Sequence, residues 1–92
     1  MSRYRSVGSI IRNYHERFDG KGYPDGLKER DIPFGARILA VAEAYGSMID
    51  MRAYRKALAP EQAIEELRAN SGSQFDPKVV DAFISVLGLV LV

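Results

Sequence analysis

The sequence predicts an all-α fold, a small bundle of about four helices, on three observations. Apolar residues recur three and four positions apart in successive segments, prolines stand where helices would begin, and no run alternates at period two apart from the last six residues. At 92 residues the chain is one domain's worth.

A first helix is expected from about Ser6 to Phe18, with Val7, Ile11, Tyr14 and Phe18 as its apolar stripe and His15 at the boundary between core and solvent. Gly20, Gly22, Pro24 and Gly26 end it, and the run to Ile32 reads as a long ordered loop, which in a small domain is commonly functional. Pro33 suits the first turn of a second helix, whose stripe is Ile38, Val41, Ala42, Tyr45, Met48 and Ile49. The pattern breaks at MRAYRKALA, residues 51–59, and Pro60 opens a third helix that faces Ala63, Ile64 and Leu67 inward and carries acids early, where the helix dipole favours them. After the SGSQF turn, Asp76 is placed to cap a fourth helix beginning at Pro77, with Val79, Val80, Phe83, Ile84 and Leu87 inward. Residues 88–92 form an uncharged apolar tail, read either as an association surface of a homo-oligomer or as a continuation of the last helix.

Composition narrows the function classes. Thirteen basic and twelve acidic residues leave a net charge of +1, which argues against a nucleic-acid surface. No window approaches the roughly 20 apolar residues of a membrane span. Cysteine is absent, so disulfides and thiolate metal sites are excluded. The start MSRYRS lacks the apolar run of a secretory signal, and a cytoplasmic location is the default expectation.

Chemistry concentrates in Tyr14 to Leu27, YHERFDGKGYPDGL, which holds the single histidine, three acids and three glycines. His15 can be a partly buried imidazole bonded to a backbone carbonyl or a metal ligand, but nothing within a few residues supplies a second imidazole. Asp19 followed by Gly20 is a capping and turn feature. Gly22 and Pro24 make a rigid turn that holds the Tyr23 ring outward, either to stack on a base or enter a partner's pocket, or to cover the bundle. Arg52, Arg55 and Lys56 read on their own as a solvated basic turn after a helix.

His15 to Pro24, HERFDGKGYP, resembles the H-H-E-x-x-D-G-x-G-Y-P signature of the HD-GYP family. ARILAVAEAY (36–45), RAYRKAL (52–58), EQAIEEL (61–67) and GSQFDP (72–77) resemble the family's remaining segments in order, so the likeness runs from about Ile10 to Leu87. It implies that residues 1–92 form a single partial HD-GYP-like domain, the C-terminal half of an HD-domain core. Members are bacterial phosphodiesterases that open cyclic di-GMP with iron or manganese ions. Position by position, His15 matches the second histidine of the pair while Tyr14 stands where the first is expected, and Glu43 matches a ligand aspartate on the following helix. Glu43 also lies off the apolar stripe, where solvent exposure is the competing reading. Gly46 and Met51 replace acids usual in the family, and Ala53 replaces a proline. The resemblance thus implies His15 and Glu43 as vestigial metal ligands, no catalytic residue and no stoichiometric metal. Tyr23, Arg52 and Arg55 match positions that hold the dinucleotide, and with Gly22 and Pro24 they are the implied ligand- or partner-binding residues. The function it implies is a catalytically incompetent module of cyclic di-GMP signalling, which binds cyclic di-GMP or a diguanylate cyclase (GGDEF) domain through the GYP loop. The alternative is a fragment of an active phosphodiesterase whose His-Asp ligands lie outside this chain.

Overall fold

Helical periodicity becomes four α-helices in the computed structural model, which describes residues 3–50 and 56–91: α1 Arg3–Asn13, α2 Phe34–Ile49, α3 Pro60–Ala69 and α4 Pro77–Leu91. A short 3-10 turn, Glu29–Asp31, precedes α2. Among the described residues there is no strand, only an isolated bridge between Ser71 and Phe75. Pro60 opens α3 and Pro77 opens α4, whereas Pro33 is the residue just before α2. The apolar stretch that follows Leu87 continues α4 as far as Leu91.

α2 is the central element and packs against each of the other three helices. Its Val41 and Tyr45 meet Ala63 and Leu67 of α3, Phe75 of the α3–α4 connection and Val79 and Val80 of α4 in one buried cluster. Phe83, Ile84, Leu87, Ile64, Met48 and Ile49 close round it. The Tyr45 and Phe83 rings meet edge to face with centroids 5.3 Å apart. The expected stripes of α3 and α4 therefore face the core. On α2 the buried line is turned from the expected one, toward Ala40 and Ala44 and away from Ile38 and Ala42. Ala42 is exposed, and Ile38 lies 43% exposed beside Phe34 on the rim of an apolar groove of about 450 Å³ between α2 and α4.

The first helix departs furthest from expectation. It ends at Asn13, not Phe18, and Val7 and Ile11 are 53% and 64% exposed. The reason is competition for backbone donors. A helix continued through Phe18 and Asp19 would return their N–H groups to its own preceding turn. Instead Phe18 N–H donates to the Gln74 carbonyl (3.0 Å) and Asp19 N–H to the Ser73 carbonyl (2.8 Å), tying the chain to the α3–α4 connection. The helix is also turned from the predicted stripe, so that Ile10 seats on Gly35 at the start of α2. A β-carbon on Gly35 would lie 2.5 Å from Ile10 Cδ1, so a larger residue there would require the Ile10 side chain to move.

The junction of α2 and α4 is polar. Arg37 donates through Nε to the Ile32 carbonyl (3.0 Å) and through Nη1 to Asp76 Oδ2 (2.7 Å). Asp76 uses its other oxygen to accept the Lys78 N–H (2.9 Å), so it caps α4 as expected and also anchors α2.

The packing sets an ordering of stability effects. Leu67→Ala, which empties a fully buried site, is expected to destabilise by about 2–5 kcal/mol. Val7→Ala is expected to stay within about 0.5 kcal/mol of the parent, because that side chain is not covered by the described residues. Urea unfolding reads both as midpoint shifts at unchanged slope.

Candidate functional site: the Gly-Tyr-Pro loop and its cleft

The loop after α1 is organised by a buried carboxylate. Glu16 is 4% exposed, and three donors reach it: Asp25 N–H to Oε2 (2.7 Å), Leu27 N–H to Oε1 (3.0 Å) and Asn13 Nδ2 to Oε2 (3.0 Å). These are charge-assisted bonds, two of them from backbone N–H groups of the loop. Asn13, also buried, shares its amide with Asp25 Oδ2 (2.9 Å), and Arg12 grips both Asp25 oxygens (2.9 and 2.8 Å). Hydrogen bonds from Arg12 first and Asn13 second pull the Asp25 carboxyl down from 3.8 to about 2. A smaller pair forms beside it: Arg17 binds Asp19 through two bonds (3.2 and 3.0 Å), and Asp19 accepts the Lys21 N–H (3.0 Å). Those contacts hold the Asp19 carboxyl below its usual value and make it the turn feature that the sequence suggests.

Gly22 lies directly on the backbone that it follows. A β-carbon there would stand 2.4 Å from Arg17 N and 2.9 Å from Glu16 Cα, so no other residue fits. The Tyr23–Pro24 peptide is cis, and the Tyr23 ring is 63% exposed. It stacks on His15 with centroids 5.3 Å apart and planes 14° apart, while the Tyr14 ring tilts at 35° to the imidazole with centroids 4.0 Å apart.

His15 therefore does not sit on the flank of a helix as expected. It lies in the turn after α1, exposed between two tyrosine rings, because α1 ends before reaching it. Glu43, exposed on α2 with its Oε1 accepting from Ser47 Oγ (3.2 Å), faces the same small polar cleft of about 80 Å³ as His15, Tyr14 and Arg17. His15 and Glu43 are thus brought together, with Tyr23 stacked on the His15 ring and Gly22 and Pro24 holding the turn. Arg52 and Arg55, the expected phosphate contacts, lie outside the described residues. Sequence reasoning missed Glu16, Asn13, Arg12 and Asp25. The one signal that could have found Glu16 is the count of loop N–H groups awaiting acceptors, with a carboxylate at the loop's start.

The donor set does not amount to a metal centre by itself. Among the described residues no three His, Asp or Glu side chains converge on one point. Glu16 already accepts from three donors, and the Tyr14 phenol is a poor metal ligand beside His15. No helix among the described residues is long and apolar enough to cross a membrane.

A family model described as HD domain matches residues 1–79. The chain is 43% identical over 77 residues to a cyclic di-GMP phosphodiesterase of Thermotoga maritima, covering 84% of this chain and 21% of that protein. It is likewise 43% identical over 84 residues to a cyclic di-GMP phosphodiesterase response regulator of Xanthomonas campestris, 90% of this chain and 22% of that one. Among solved structures, a cyclic GMP-AMP specific phosphodiesterase of Vibrio cholerae superposes with a TM-score of 0.77 at 29% identity, over 90% of this chain and 19% of that chain. The chain spans about a fifth of the length of these relatives.

The Arg12–Asp25 clamp has a defined acid limit. Because the folded pKa of Asp25 is depressed, its contribution to stability is present in full above about pH 4 and is lost as the pH falls toward 2. Arg12→Met is expected to move the Asp25 titration back toward 3.8, with Asn13 retaining part of the depression. Carboxyl carbon NMR across the acid range reads this directly.

Proposed function

Because the chain belongs to the HD domain family, we propose that it is the nucleotide-facing part of a cytoplasmic HD-GYP signalling protein, which recognises cyclic di-GMP through the GYP loop and does not itself carry out hydrolysis. The observation that supports this most directly is the exposed Tyr23 ring, held in a stack on His15 beside a polar cleft. A flat aromatic face fixed in advance can take a guanine base at little ordering cost. Arg52 and Arg55 are the proposed partners of the phosphates, for which a guanidinium fork is suited.

Phosphodiesterases of this family depend in general on divalent metal. His15 and Glu43 are the positions proposed to face such a metal, iron or manganese being the ions to assay. Two protein donors do not hold a hydrolytic centre, and no step of hydrolysis is assigned to this chain. A second reading is favoured by the chain's short span of its relatives: it is part of an active phosphodiesterase whose remaining ligands lie elsewhere. Iron and manganese measured after aerobic and anaerobic purification test the first reading. Metal well below one ion per chain is expected, and stoichiometric metal overturns the inactive reading.

Calorimetric titration with cyclic di-GMP tests recognition. Tyr23→Ala is expected to weaken binding about 5- to 150-fold, the worth of one base stacked on an aromatic ring. No heat at high protein concentration removes Tyr23, Arg52 and Arg55 as nucleotide contacts. A diguanylate cyclase (GGDEF) domain titrated in parallel tests the same exposed ring as a protein-docking face.

A further inference from the structure

We infer that Glu16 is the positioning residue of the GYP loop: its carboxylate sets Tyr23 over His15 before any ligand arrives. This rests on the reading of that loop as the recognition element. The Tyr23–Pro24 pair is bracketed by Glu16 on both sides in the chain. Before it, Gly22 lies on the Glu16 and Arg17 backbone so closely that a β-carbon would stand 2.9 Å from Glu16 Cα. After it, the Asp25 and Leu27 N–H groups are held by the two carboxylate oxygens at 2.7 and 3.0 Å. The residue that fixes the loop is also the neighbour of the imidazole on which Tyr23 stacks, at 5.3 Å. One short segment therefore sets the position of both rings.

Competing roles for Glu16 conflict with its surroundings. It is 4% exposed, and Asp25, Leu27 and Asn13 occupy its oxygens, so it is not presented to a substrate as a general base or to an ion as a ligand. Its acceptors face backbone donors, an arrangement that only a carboxylate satisfies on both oxygens. The ordering cost of the loop is then met during folding, and binding is spared it.

Glu16→Gln preserves shape and volume but turns one oxygen into an NH2 group that confronts a backbone N–H. In the full chain this variant is expected to keep its helical circular dichroism and cooperative unfolding. Two readouts should change together. The ring-current shift that Tyr23 imposes on the His15 imidazole protons, calibrated with Tyr23→Leu, is expected to vanish. Cyclic di-GMP affinity is expected to fall about tenfold or more, as for a lost charge-assisted hydrogen bond. A lower melting temperature with the His15 shift and affinity unchanged overturns the inference, since Glu16 is then merely structural.

Should the variant not fold, the parent protein decides. The Asp25 and Leu27 amides are expected to be strongly protected from hydrogen exchange, and exchange at unstructured rates overturns the inference. The His15 shift and amide protection are both read without nucleotide. If the parent binds no cyclic di-GMP, the recognition reading fails, and these two measurements still decide the role of Glu16.

Discussion

The ion pair between Arg37 and Asp76 is the constraint on which the arrangement of the helices depends. Its side chains are only 15% and 7% exposed, and they meet at 2.7 Å. Removing one partner from such a pair leaves a buried charge uncompensated and typically costs about 3–5 kcal/mol, a large share of the stability of a small domain. Its importance lies also in what is attached to it. Arg37 secures the Ile32 carbonyl and so the exit of the loop, while Asp76 caps α4. The connection that leads into Asp76 provides the Ser73 and Gln74 carbonyls that receive the chain leaving α1. Loop entry, loop exit and the start of α4 are thereby referred to one polar junction at the edge of the apolar cluster.

That junction explains which parts of the fold could be read in the sequence. α3 and the first turns of α4 follow their hydrophobic spacing because each packs one face on a continuous apolar cluster, so periodicity and burial coincide at Ala63, Leu67, Val79 and Val80. α1 follows its spacing only in part. Val7, Ile11, Tyr14 and Phe18 lie at helical intervals, yet the N–H groups of Phe18 and Asp19 gain partners on the α3–α4 connection. A tertiary acceptor outcompetes a local one, and spacing carries no information about it. Ile10, by contrast, occupies space that another helix leaves open by the missing side chain of Gly35.

The candidate site divides along the same line. Gly22, Tyr23 and Pro24 are legible because glycine and proline declare turn geometry locally. Gly22 is required by close approach to the backbone of residues 16 and 17, a cause that a sequence pattern records without explaining. Glu16 was legible only as one letter of the HD-GYP signature, not as the centre of the loop. A glutamate following helical periodicity reads as a solvated charge, and only the three-dimensional count of donors makes it the centre of the loop. His15 was identified as a special residue but given the wrong setting, since its place between Tyr14 and Tyr23 depends on where α1 stops.

The two halves of the Tyr14–Leu27 cluster place different demands on the rest of the chain. A metal centre needs donors converging from several elements, and replacing any one of them lowers the whole coordination set. On the proposed reading, Tyr14 where an imidazole is expected and Glu43 with a longer arm than aspartate would alter that set at separate points on the turn and on α2. The loop is nearly self-contained by comparison. Arg12, Asn13, Glu16, Gly22, Asp25 and Leu27 supply each other's partners within sixteen residues of chain. Changes at Tyr14 or Glu43 therefore leave the hydrogen bonds that hold the loop untouched. Under the proposed function hydrolysis and recognition would be separable properties: the first would be lost by single substitutions among scattered ligands, and the second would persist as long as one buried carboxylate holds its loop.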